Sequence, residues 1–151
     1  MGRDRRTLDL FTDWQPREPV VRYAPEATRA ANLRDRIALA VSVTLKECGR
    51  PREQIAEAMS AYLGETVTKN MLDAYASQGR EEHTIPTHRQ IALCHVTRDP
   101  RLMQLGAEEV GMDCIDKHFK PWLEVGQLAD VKADVDRAYE LARRAARRAG
   151  R

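Results

Sequence analysis

Thr66, Thr68, Lys69, Asn70 and Asp73 fall inside one short stretch, ETVTKNMLDAY. These side chains suit recognition by hydrogen bonding better than bond-breaking chemistry. A carboxamide such as Asn70 can pair with adenine through two hydrogen bonds. A lysine can reach guanine or a phosphate, and a threonine can donate to a phosphate or touch a thymine methyl. For that chemistry the groups must stand together on the exposed first turns of one helix, because a helix enters the major groove by its N-terminal end. Arg50, Arg52 and Gln54 precede them, at the start of another helical segment. There they lie where backbone phosphates would pass, and a helix N-terminus favours anions.

The elements that must position these groups are legible in the apolar spacing. The run RPREQIAEAMSAYLGETVTKNMLDAY, residues 50–75, reads as two short helices around Gly64. Ile55, Ala56, Met59, Tyr62 and Leu63 form the inward stripe of the first, over about 51–63. Val67, Met71, Leu72 and Tyr75 form the inward side of the second, with Thr66 or Thr68 as its N-cap. A helical pattern before this pair begins at Glu26 and places Leu33, Ile37, Ala40, Val41, Thr44, Leu45 and Cys48 on one face. Gly49 and Arg50-Pro51 end it. After the pair, the polar run SQGREEHTIP predicts a loop. Thr87 is expected to cap a fourth helix, and Asp99-Pro100 to open a fifth that ends at Gly111. A last helix is expected over about 128–148, its narrow apolar seam suited to a helix pair or small oligomer.

Charge is unevenly distributed. Residues 137–151 hold six arginines against Glu140, and residues 1–7 hold three arginines against Asp4, together +7 in a chain of net charge +2; the remainder is therefore −5. Basic ends on a mildly acidic body suggest a polyanion partner reached by arms, with Arg3, Arg5, Arg6, Arg143, Arg144, Arg147 and Arg148 contacting DNA backbone. Residues 27–111 contain eleven basic and eleven acidic side chains, so the body has no overall positive field. Residues 1–26 contain Pro16, Pro19 and Pro25 and read as an extended arm, with Leu8, Leu10, Phe11 and Trp14 apolar enough to dock. Phe11, Trp14 and Tyr23 lie near arginines, but the strip is too sparse for single-stranded nucleic acid and suits docking of the arm on the body or on a partner subunit better.

Other chemistries lack their signatures. Cys48, Cys94 and Cys114 form no CxxC pair and read as reduced thiols. His83, His88, Cys94, His95, Cys114 and His118 lack the tight paired spacing of zinc ligands. The neighbouring acids Glu81-Glu82 and Glu108-Glu109 would diverge on a helix and so share no proton. Neither GxxxxGK[ST] nor GxGxxG occurs. The expectation is a non-enzyme with no cofactor, no metal and no small-molecule substrate. With no apolar run of about 20 residues and no apolar stretch behind the N-terminal arginines, no membrane partner and a cytoplasmic location are expected.

The 50–75 stretch resembles the lambda-repressor-like helix-turn-helix family, and more particularly the small regulators carried by Mu-like transposable phages. The resemblance covers roughly residues 30–111. Arg52-Glu53-Gln54-Ile55-Ala56 occupies the place of the family's polar, polar, polar, aliphatic, alanine start of helix two. Val67-Thr68-Lys69-Asn70-Met71-Leu72 matches the entry into the recognition helix, with Leu72 as buried anchor. Between Met59 and Val67 this chain is several residues longer than the family's tight turn, so helix two carries an extra turn or the loop bulges.

The expected architecture is all-α. A five-helix lambda-repressor-like helix-turn-helix domain over 27–111 follows the arm at 1–26, and a C-terminal helical extension with a basic end, suited to oligomerisation, occupies 112–151. The resemblance implies a sequence-specific duplex DNA-binding transcriptional regulator of phage or prophage origin, acting as a homo-oligomer on double-stranded DNA. The alternative is a helical protein–protein interaction or transposition accessory factor using the same fold.

Overall fold

The structure is a computed structural model that describes residues 18–79 and 82–150. The expectations for Arg3, Arg5, Arg6, Leu8, Leu10, Phe11 and Trp14 lie outside the described residues. Among those described, every regular element is helical, and the chain divides into two compact units, Met1–Cys114 and Ile115–Arg151.

The first unit holds α1 (Leu33–Glu47), α2 (Arg52–Leu63), α3 (Lys69–Tyr75), α4 (Thr87–Thr97) and α5 (Arg101–Glu108), preceded by a 3-10 turn over Pro25–Thr28. Local chemistry sets the boundaries. The side chain of Asn32 caps α1, accepting from the backbone N–H of Asp35 at 2.8 Å. Gly64 ends α2 with φ +70°, a conformation that a side chain disfavours, and its N–H returns to the Ser60 carbonyl. Thr68, not Thr66, caps α3, its hydroxyl accepting from Met71 N–H at 3.3 Å.

Three boundaries differ from the sequence-based expectation. Helical spacing begins at Glu26, but the chain forms only a 3-10 turn there and α1 starts at Leu33. Thr87 is the first residue of α4, not its cap; Pro86 takes the cap position. Asp99 accepts from Arg101 N–H at 3.0 Å, but Pro100, not Asp99, takes the cap position and α5 starts one residue later than expected, at Arg101.

The core lies where the five helices converge. Val41, Ile55, Met59, Leu72, Leu93 and Leu102 are fully enclosed there. Each such side chain contributes roughly 1.5–3 kcal/mol of apolar burial. α2 packs on α3 and α4, while α1 packs on α5 and α3. Leu33 and Tyr62, expected on apolar faces, are instead exposed, as are Ile91 and Val110. Tyr62 does not lie idle, since its ring stacks on His95 of α4 with centroids 4.3 Å apart.

A polar network crosses this core. Tyr23, from the segment before α1, is buried, and its hydroxyl shares a 2.5 Å hydrogen bond with the Thr44 hydroxyl. Thr44 reaches Asp99 at 3.2 Å, Asp99 binds Arg101 at 2.7 Å, and Arg101 binds Glu47 at 2.6 Å. The Arg101 guanidinium also lies 4.5 Å over the Tyr23 ring, a cation–π contact. Burial raises the Tyr23 hydroxyl pKa well above its ordinary value of 10.0, against the opposing pull of the Thr44 hydrogen bond. Burial also pushes the Asp99 carboxyl up, but the hydrogen bonds and charge of Arg101 more than offset it and hold its pKa below the usual carboxylate value.

The second unit contains a 3-10 turn, Lys117–Phe119, and α6, Lys120–Ala149. Asp116 caps the turn, accepting from His118 N–H at 3.0 Å. α6 begins eight residues before the position expected from the apolar seam. Pro121 sits in its first turn, where the missing N–H would have had no intrahelical partner, so the proline starts the helix instead of breaking it. No residue of α6 is buried. Among the described residues, no helix is long and apolar enough to cross a membrane.

Candidate nucleic-acid interface

α2 and α3 form a helix–turn–helix pair, and the turn is anchored from below. Ser60, on α2, donates to the Ala56 carbonyl and accepts from the Val67 N–H, each at 2.8 Å. The hydroxyl thereby satisfies a turn amide that would otherwise lose its partner on burial, since Val67 itself is buried. Leu72 beneath α3 is wholly enclosed, with Ile55, Ala56 and Met59 of α2 in the same cluster. The extra residues between Met59 and Val67 are taken up by α2, which continues to Leu63, and by the short run from Gly64 to Thr68.

On this base the front of α3 is open. Thr66, Thr68, Lys69 and Asn70 are all exposed, and Asp73 is half-buried one turn further on. Gln54 is exposed near the start of α2. The five residues of the recognition stretch and Gln54 are thus on the surface of the α2–α3 pair.

The cations of this surface are already engaged. Lys69 Nζ lies 2.8 Å from Glu53 Oε1, and Arg52 pairs with Asp73. Both pairs link α2 to α3. The Glu53 hydrogen bond raises the Lys69 pKa, and Lys69 in turn lowers that of Glu53. Arg50 turns away from the pair and donates to the Val96 carbonyl near the C-terminal end of α4. Arg52 and Lys69 against Glu53 and Asp73 leave these paired groups formally neutral. Such exposed pairs are screened by salt and exchange partners readily.

A second set of polar contacts braces the far side of the turn. Glu65 accepts from Arg89 at 2.8 Å and lies 3.1 Å from His88, both on α4. Arg89 also donates to the Tyr75 hydroxyl at the end of α3. The Arg89 hydrogen bond holds the Glu65 carboxyl below its usual value. Arg89 therefore ties the turn and the C-terminal end of α3 to α4, fixing how α3 is presented.

Ser60 and Arg89 belong to no motif in the sequence, and Glu53 figures there only as a polar position at the start of helix two. Ser60 follows Ala56 by four residues, the spacing at which a helical hydroxyl can bond back to a carbonyl, and this is a weak local signal. The partnership of Glu53 with Lys69 depends on the angle between two helices and has none.

Of the arm residues, Arg143, Arg144, Arg147 and Arg148 are exposed on α6. Arg143 pairs with Glu140 at 3.4 Å. Among the described residues, no three His, Cys, Asp or Glu side chains are grouped so as to hold a metal ion. Burial pushes the Cys94 thiol up to about 11, away from the range of a reactive thiolate. The chain matches no protein-family model, no curated protein and no solved structure.

Proposed function

We propose that the protein is a sequence-specific duplex DNA-binding transcriptional regulator of the phage or prophage kind, that it catalyses no reaction, and that it acts as a homo-oligomer in the cytoplasm. One observation carries this reading. Thr68, Lys69 and Asn70 stand exposed side by side at the front of α3, which is held on α2 by Leu72 and by the Ser60-anchored turn. Asn70 supplies a carboxamide for adenine, and Thr68 and Thr66 supply hydroxyls for phosphate or a thymine methyl. Lys69 and Arg52 reach DNA by exchanging Glu53 and Asp73 for phosphate or guanine. Affinity draws on the arginines of the chain ends, because the body is charge-balanced.

A second reading, a helical protein-interaction module or transposition accessory factor, is favoured by that same charge balance and by the two ion pairs closing the α2–α3 surface. Titration of duplex DNA from the protein's own upstream region separates the two. The regulator binds it with an affinity that falls steeply as salt rises. The interaction module shows no salt-dependent duplex binding at moderate salt, and that outcome would refute the regulator.

A further inference from the structure

α6 is a 30-residue helix, about 45 Å long at 1.5 Å per residue, with none of its residues buried. Its apolar side is nevertheless strongly patterned. Leu128, Val131, Val135, Ala138, Ala142 and Ala145 follow one another at alternating three- and four-residue steps, the spacing of a two-helix seam. Leu128, Val131 and Val135 are each at least 60% exposed, so water covers the seam in the single chain.

Two gradients run along the helix. Residue size falls from Leu and Val in the first half of the seam to Ala in the second. Charge reverses in the same direction. Residues 124–140 carry five acids against Lys132 and Arg137, whereas residues 141–150 carry four arginines and no acid. Lys132, Arg137 and Arg143 are occupied within the helix by Asp136, Asp134 and Glu140.

We infer that α6 is an interface for a second copy of this chain and that the two helices run antiparallel. This deepens the homo-oligomer part of the reading above and is independent of DNA. Antiparallel pairing sets Leu128 opposite Ala145, Val131 opposite Ala142 and Val135 opposite Ala138, a single register in which each large side chain meets a small one. The helices then keep a constant separation along their length. The same register brings the acidic first half of one helix along the arginine-rich second half of the other, with Glu124 near Arg148 of the second copy. Parallel pairing does the opposite. It sets Leu128 against Leu128 and Ala145 against Ala145, so the helices splay, and it gathers both arginine-rich ends at one end of the pair.

The test uses the full chain without DNA, so failure to bind duplex leaves it intact. Sedimentation equilibrium at about 100 μM, a concentration at which a micromolar dimer is nearly complete, is expected to show dimers. A monomer at that concentration overturns the interface. Orientation is read by oxidation in a Cys114→Ser background, which removes the exposed native thiol. Mixed Leu128→Cys and Ala145→Cys chains are expected to form a disulfide-linked mixed dimer in preference to either homodimer. Leu128→Cys chains that cross-link to themselves better than to Ala145→Cys chains overturn the antiparallel arrangement. Charge reversal supplies a check that leaves the six seam residues unaltered. Arg148→Glu chains are expected to self-associate about tenfold more weakly. They should recover in mixtures with Glu124→Arg chains; tighter pairing with unaltered chains instead would contradict the proposal.

Discussion

The two units of the chain use apolar residues in opposite ways. In the five-helix unit, Leu72, Leu93 and Leu102 are enclosed, and even polar groups such as Thr44 and Gln104 are buried with partners. In α6, residues as large as Trp122, Leu128 and Tyr139 remain at least 64% exposed. The first unit carries its folding energy within itself. The second carries an amphipathic pattern that no contact within the unit buries. A helix can therefore be well specified by sequence while its stability depends on something outside the chain.

The contrast can be broken most forcefully at Leu72. Leu72→Ala removes a fully enclosed side chain beneath α3 and is expected to cost about 2–5 kcal/mol, read as a lower midpoint in urea unfolding. The helix–turn–helix pair should be lost with the rest of the unit, not separately. Next in size is Thr44→Val, which keeps shape but strips the Tyr23 hydroxyl and Asp99 of a shared partner. A loss of about 1–3 kcal/mol is expected. Tyr23→Phe in the Thr44→Val background should recover part of it, because one orphaned hydroxyl is removed.

A gentler probe is pH. The Asp99 carboxyl has a folded pKa below its ordinary value of 3.8, so its contribution is present above that value and is lost as pH falls through the folded pKa. The Tyr23 hydroxyl has the opposite sign. Its folded pKa is raised, so the contribution is present below pH 10.0 and is lost as pH climbs past it. Stability of the five-helix unit should therefore fall at both extremes, and Tyr23→Phe should flatten only the alkaline side. The smallest effect belongs to α6. Asp134→Asn removes a partner of Arg137 on an exposed surface and is expected to leave the unfolding midpoint of the first unit unchanged.

What could be read in advance follows the range of the forces involved. Gly64, Thr68 and the Gly49–Pro51 boundary act within a few residues, and the α2–α3 pair was legible from them. The exposure of Thr68, Lys69 and Asn70 followed from the helical period once that pair was placed. Pro121 was ambiguous, since a proline both breaks a helix interior and suits a first turn; the apolar spacing after Leu128 favoured the later start. Docking of the Tyr23 ring on the body was legible, but its partners were not. Pro16, Pro19 and Pro25 mark its segment as extended, and its burial depends on Thr44 and Arg101, which lie far along the chain. The ion pairs Glu53–Lys69 and Arg52–Asp73 depend on the packing angle of two helices, which no local pattern encodes.

Those two ion pairs make the exposed front of α3 the place where the proposed DNA-reading role is most open to experiment. The most direct measurement selects duplexes from a random library with the full chain and then compares the affinity of unaltered and Asn70→Ala proteins for the selected sequence and for single-base variants of it. Loss of about 1–3 kcal/mol confined to one adenine position, with affinity for unrelated duplex unchanged, is the predicted result. Recovery of no preferred sequence, or equal discrimination by both proteins at every position, would contradict a reading role for the front of α3.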